Sequence, residues 1–347
     1  MVGAEYIDSQ IDIHKQMNKR VFQIVLFIAG LILLLIGLVL SVSVGAVDIN
    51  FSTVIGAILS FDQSKEHMII STIRLPRAII GAIIGMNLAV AGALMQALTR
   101  NPMASPQIFG VNAGASLVVV SATVLLPNIS PSTLVYFAFI GAAIGGLVVY
   151  TMASSGGSIA PVKLALAGMA VHLFFSSITE ALIIFNETTT EAILFWLAGA
   201  IDGSTWNDIG IIMPWSLVGL LISILLSRSI SVFSLGEDVA KGLGQKIEII
   251  RIVSGITVIV LAGSSVAIAG PIGFVGLIIP HITRAIVGID YRVVIPFSAL
   301  FGALLLVYAD VASRFIAFPF ESPVGIVTAL IGAPFFLYLA RKGGKLS

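Results

Sequence analysis

The sequence predicts an all-α protein that crosses a membrane about ten times. Three observations carry that prediction. Hydrophobic residues make up 58% of the chain and charged residues 10%, against roughly a quarter charged in a soluble domain. Runs such as Val21–Leu40 and Ile249–Ala269 reach about the 20 apolar residues that a helix needs to cross a bilayer. The runs are continuous and do not alternate with a period of two, as the strands of a membrane barrel would. Backbone groups in lipid find partners only within their own segment, so these runs form helices.

The elements follow in order. Met1 to Arg20 is polar and mixed in charge and reads as a cytoplasmic N-terminal segment. The first span, 21–43, is followed by no small-residue cleavage site and is a retained helix, not a signal peptide. Val47 to Ser71 is the longest outer loop, and its apolar Phe51–Leu59 portion suits a helix lying at the membrane surface. The second span, 74–98, opens with Arg74 and Arg77, three residues apart on one helix face, with Pro76 suited to the first turn. A proline-punctuated turn, Leu98 to Pro106, leads to spans at 107–126, 133–153 and 161–185. The last of these carries His172 and Glu180, and ionisable groups inside a membrane are functional candidates. Asn186 to Asp208 forms a second outer segment, with Trp196 and Trp206 suited to the interface.

The sixth span, 206–226, precedes a charged cytoplasmic connection at 227–247. Here Glu237, Asp238, Lys241 and Lys246 cluster between two membrane-length runs. Such an island cannot sit in lipid, and its glycines and helix formers suggest a short ordered element offered to a partner. Spans at 248–268, 272–287, 293–312 and 323–341 complete the set. The eighth is short and contains Pro280, so a tilted, kinked or partly spanning helix is expected. Gly81/Gly85, Gly110/Gly114 and Gly141/Gly145 are spaced for close helix packing. No soluble segment is large enough for its own core, so residues 1–347 form a single membrane domain. No internal repeat or low-complexity tract stands out.

Lysine and arginine set the expected orientation. With both termini cytoplasmic, most basic residues fall inside, and Lys65, Arg74, Arg77 and Arg314 are the outward exceptions. The three arginines either anchor helix ends by snorkelling or form a cationic docking face for carboxylates of an external protein. The turn around Asn101 and Pro102 is either a plain connection or a gate at the inner mouth of a pathway. His281, after the irregular Gly270–Gly276 stretch, is either a relay or a structural residue.

Several chemistries are excluded. There is no cysteine, and no metal-ligand spacing or HExxH helix occurs. No G-x-x-x-x-G-K-[ST] phosphate loop is present, so the chain does not hydrolyse a nucleotide itself, and any ATP must be bound by another subunit. No cofactor and no nucleic-acid partner are expected; lipid is. An ion-coupled secondary transporter would need intramembrane carboxylates or ion ligands that the spans lack beyond Glu180.

Arg74-Leu75-Pro76-Arg77, Gly92-Ala93-Leu94-Met95-Gln96, Asn101-Pro102-Met103-Ala104, Gly110-Val111 and Gly114-Ala115 together closely resemble the FecCD permease family. Leu235–Gly244, Gly273–Arg284, Pro323-Val324-Gly325 and Gly332-Ala333-Pro334 extend the resemblance to nearly the whole chain. These permeases are the membrane subunits of ATP-driven importers for iron–siderophores, haem and vitamin B12. The resemblance implies the ABC importer type II permease fold in a prokaryotic cell membrane. It also implies a second permease subunit, identical or paralogous, two cytoplasmic ATP-binding subunits and an external substrate-binding protein. Iron(III)–siderophore is the expected cargo, with haem or vitamin B12 as alternatives. By resemblance, Arg74, Arg77 and Arg314 meet acidic residues of the binding protein. Leu235, Gly236, Glu237, Asp238, Ala240, Lys241, Leu243 and Gly244 match the coupling element that fits a cleft on the ATPase. Asn101, Pro102 and Met103 match the inner gate, where Met103 replaces the more usual leucine and conserves volume.

Overall fold

The computed structural model describes residues 2–45, 49–126, 129–154, 161–186, 190–316, 318 and 320–343. The chain begins with α1 (Val2–Ser43), the surface helix α2 (Phe51–Leu59) and α3 (Lys65–Ile69), which passes through a π-helical turn (Ile70–Arg74) into α4 (Leu75–Thr99). A 3-10 turn at Pro106–Phe109 then leads to α5 (Val111–Leu125), α6 (Pro131–Ser154), α7 (Pro161–Ile184), α8 (Thr190–Leu197) and α9 (Trp206–Phe233). The charged island is α10 (Glu237–Gly242), followed by α11 (Ile247–Ala269), α12 (Val275–Val287), α13 (Tyr291–Ile316) and α14 (Val324–Gly343). Among the described residues, seven helices are long and apolar enough to cross a membrane, and three shorter apolar ones, α5, α12 and the apolar part of α14, bring the total to the ten expected runs.

Two differences from the sequence reading have clear causes. The polar segment before residue 21 is continuous with the first span, because nothing in it breaks a helix. The third span starts at Val111 and not at 107, because Pro106 opens a separate 3-10 turn and Gly110, at φ 68°, turns the chain left-handed ahead of the helix.

α5 has 15 residues and α12 has 13, about 22 and 20 Å at 1.5 Å per residue, short of the roughly 30 Å hydrocarbon core. Each is entered through irregular backbone, residues 100–110 and 270–274. Gly276, in the first turn of α12, packs on Leu88, Gly92 and Pro106, so α12 starts beside the middle of α4. Irregular backbone at that depth is tolerated because protein surrounds it. A succession recurs that the sequence did not reveal: a long helix, an irregular entry, a short helix and two further helices, first as α4–α7 and again as α11–α14. α4 runs from the Arg77 end toward Glu237, whereas α11 starts beside Glu237 and finishes beside Ala200.

α4 is the centre of the bundle: nearly all of its side chains are buried, whereas the described side chains of α1 are mostly exposed. Glycine makes the tightest crossings possible. A Cβ on Gly85 would lie 2.1 Å from the Gly302 carbonyl oxygen of α13, and one on Gly114 would lie 2.2 Å from that of Gly141 in α6. Gly81, by contrast, meets only side-chain tips, those of Ile201 and Val307. The outward faces of α1, α7 and α9 are apolar, with Leu35, Leu166 and Leu225 exposed, as lipid or a second subunit requires.

Candidate functional site

A cleft of about 610 Å³ opens on one side of the bundle, between the 105–116 stretch and α7. Helical spacing puts Met169, His172, Ser176 and Glu180 of α7 on one wall, and Ser105, Gln107, Asn112 and Ser116 on the other. Leu194, Leu197 and Pro271 close one end. Among the described residues, His172 and Glu180 are its only titratable lining residues, and no lysine or arginine lines it. Eight residues separate them, about 12 Å along the helix, so they do not form a pair. Such a surface offers scattered neutral hydrogen bonds and methyl groups, enough for weak contact with a bulky solute. The turn read as a gate adjoins this cleft at Ser105. In it the Asn101 side chain accepts from the Met103 backbone N–H at 2.9 Å, with Asn101 and Pro102 exposed and Met103 half-buried. His281 lies outside the cleft lining and packs edge-on against Phe335, ring centroids 5.9 Å apart.

One end of the bundle gathers the three outward arginines, but not as an open cationic face. Arg74, Arg77 and Arg314 are only 7%, 7% and 6% exposed. Arg74 donates to the carbonyls of Val42 and Ser43 at 2.8 and 2.7 Å. Arg314 donates to the carbonyls of Ser41 and Val44, both at 2.6 Å. Together they cap the C-terminus of α1, whose last carbonyls have few partners within the helix. Arg77 grips Asp310 through Nε and Nη2 at 2.9 and 2.8 Å and pairs with Glu321 through Nη1. Asp310 also receives Arg314 at 2.6 Å, so one buried carboxylate serves two guanidinium groups. On the adjoining loop, partial desolvation holds the Asp202 carboxyl above the usual carboxylate range, with Arg77 opposing.

The opposite end carries α10. Leu235, Val239 and Leu243 are 63%, 48% and 67% exposed and form an apolar ridge flanked by the exposed Asp238 and Lys241. Gly236, at φ 135° and open to little beyond Val239, turns the chain into the helix, and Gly244, at φ 77°, turns it out. Ala240 is fully buried in a small cluster with Phe233 and Ile247. Glu237 faces the other way, into the protein: it pairs with Arg251 of α11 and lies 3.6 Å from Arg100.

Three contributors escaped the sequence reading as site residues. Gln96, buried in α4, donates to the carbonyls of Ala104, Gly276 and Leu277 at 3.2–3.3 Å and accepts from Arg284. Asp310 and Arg251 are the other two. The available signal was a polar or charged side chain inside an apolar run, which demands a partner without naming it. Among the described residues no three His, Asp or Glu side chains come together as a metal site.

The model of the FecCD transport family matches residues 33–342. The Fe(3+)-citrate import system permease protein YfmD of Bacillus subtilis is 58% identical over 333 residues, 96% of this chain and 99% of its own. The iron(3+)-hydroxamate import system permease protein FhuB of the same species is 47% identical over 321 residues, covering 92% of this chain and 83% of that protein. A metal-chelate type ABC transporter, solved in an inward-facing conformation, matches with a TM-score of 0.80 at 30% identity, over 91% of this chain and 99% of that one.

Proposed function

We propose, from the premise that this chain belongs to the FecCD transport family, that its cargo as an ABC importer permease is a ferric chelate of the citrate class. The observation that carries the cargo is identity of 58% along nearly all of a ferric-citrate permease. The cleft supports the reading, since its largely apolar walls, with scattered hydrogen-bonding groups and the Glu180 carboxylate, suit brief passage of a bulky complex selected elsewhere.

In this reading the protein sits in the cell membrane with both termini cytoplasmic, and the exposed side of α7 meets a second permease subunit that completes the pathway. Two ATP-binding subunits receive α10 through Leu235, Asp238, Val239, Lys241 and Leu243, with Gly236, Ala240 and Gly244 shaping the element. ATP closure displaces α10, and the bundle exchanges outward and inward states that the nucleotide stabilises differently. Asn101, Pro102 and Met103 gate the inner mouth. The external binding protein docks at the Arg77 end. A carboxylate of that protein reaches Arg77 by replacing the half-exposed Glu321, while Arg74 and Arg314 hold the rim in place.

The test is reconstitution with ATPase subunits and binding protein in proteoliposomes, measuring uptake of ⁵⁵Fe-citrate against a ferric hydroxamate and cobalamin. Ferric citrate is expected to enter fastest and only with ATP. Uptake that survives omission of the ATPase would point to ion coupling, and preference for either competitor would overturn the cargo.

A further inference from the structure

We propose that Glu237 is a positioning residue that ties α10 to the turn at residues 100–104, acting through Arg100. The proposal rests on the permease reading above and adds the path by which movement of α10 reaches the mouth of the cleft.

Four observations converge on this link. Glu237, the first residue of α10, turns its carboxylate away from the exposed ridge to Arg251 and Arg100. Both guanidinium groups also lie over the Phe233 ring at the end of α9, 5.0 Å from its centroid for Arg100 and 5.9 Å for Arg251, within the range of cation–π attraction. Arg100 itself is left-handed, at φ 48° and ψ 32°, a conformation that disfavours any residue with a Cβ and persists only where its surroundings enforce it. Finally, the far side of the turn is anchored separately: Gln96 holds the Ala104 carbonyl and the first turn of α12 together.

The turn is thus suspended between two supports. One is fixed to α12 deep in the bundle; the other runs through Arg100 and Glu237 to the helix that protrudes from it. Displacement of α10 acts on Arg100, at the start of the segment that carries Asn101, Pro102 and Met103 and continues into the cleft wall at Ser105. Side-chain exposure of 31% for Glu237 and 37% for Arg100 means that their pairing adds little to stability. Its value lies in transmission. In this proposal Glu237 acts as an internal connector within the coupling element that the family resemblance implies.

The experiment uses the full transporter, with ATPase subunits and binding protein, in proteoliposomes, and reads ferric citrate taken up per ATP hydrolysed. Glu237→Gln and Arg100→Gly are expected to lower that ratio at least fivefold while the ATPase subunits still co-purify. Arg100→Gly is informative because glycine adopts the left-handed backbone freely, so only the side-chain link is lost. Glu237→Asp should retain more than half the ratio. An unchanged ratio in Glu237→Gln would overturn the proposal, as would loss of the ATPase subunits from that variant, which would make Glu237 a docking contact. Failure of the permease reading looks different: wild type itself would take up cargo without the ATPase. Because the chain has no cysteine, spin labels at Pro102→Cys and Leu243→Cys provide a second readout without mutating the pair. Their separation should hold with and without ATP in wild type; a change would sink the idea of a rigid link.

Discussion

The two ends of the bundle use the same chemistry, arginine against carboxylate, in opposite settings. At the Arg77 end, Asp310 is 2% exposed at its side chain and binds Arg77 and Arg314, themselves buried. At the α10 end, Glu237 binds Arg251 and Arg100 at a partly hydrated surface. Buried charges have no alternative partners, so breaking such a cluster leaves groups that neither lipid nor protein can solvate. Half-exposed charges exchange protein for water cheaply. The first arrangement locks α1, α4 and α13 together; the second ties α10 to the 100–104 turn at the surface, where a partner can move the two as one.

The largest expected effect tests the locked end. Asp310→Ala leaves two buried guanidinium groups without their carboxylate and should cost about 3–5 kcal/mol. Thermal unfolding of the purified protein in detergent reads this directly. A loss below about 1 kcal/mol would abolish the distinction between the ends. Gly85→Ala comes next, because its methyl would meet the Gly302 backbone oxygen, which cannot rotate away; overpacking of this kind costs about 1–3 kcal/mol. It should separate α4 from α13 and loosen the Arg77–Asp310 contact with them. At the α10 end, Glu237→Ala should shift stability by less than about 1 kcal/mol, measured the same way.

Much of this contrast lay outside the reach of sequence. The ten apolar runs, the short eighth span with Pro280, the Phe51–Leu59 helix and the protruding island were legible, because hydropathy and punctuation are local. The fate of the arginines was not. Arg77 meets Asp310 across 233 positions, and Arg314 meets Ser41 across 273, so their burial depends on how α1, α4 and α13 assemble. In isolation a charged residue at a span end reads as exposed. The contacts of Glu237 were hidden for the same reason: four charges in a polar loop all read as solvated, and only packing brings this carboxylate to Arg251 and Arg100. The recurrence of α4–α7 in α11–α14 escaped notice because it is one of element order and depth, not of residues.

The smallest effect distinguishes the ends by pH. On the Arg77 side, Asp202 has its carboxyl pKa raised, chiefly by desolvation, with Arg77 opposing and Glu321 and Asp310 adding. The folded state then holds that proton more tightly than the unfolded one. Its favourable contribution is full below the unfolded pKa and declines as pH rises through the folded value. Asp202→Asn should therefore match wild type in acid and gain slightly at pH 7, by less than about 1 kcal/mol for a group on an exposed loop. On the α10 side, Asp290 has its pKa lowered, chiefly by hydrogen bonding to Arg292, with Ser231 contributing. Its contribution is present above the unfolded pKa and is lost as pH falls through the lowered folded value. Asp290→Asn should accordingly lose stability at pH 7 and approach wild type in acid. Melting curves of both variants followed from about pH 2 to 8 should diverge from wild type in opposite directions as pH rises, Asp290→Asn mainly below the ordinary carboxylate pKa and Asp202→Asn mainly above it. Parallel divergence would mean that desolvation does not dominate at Asp202, and that the two ends differ less in their electrostatics than their geometry implies.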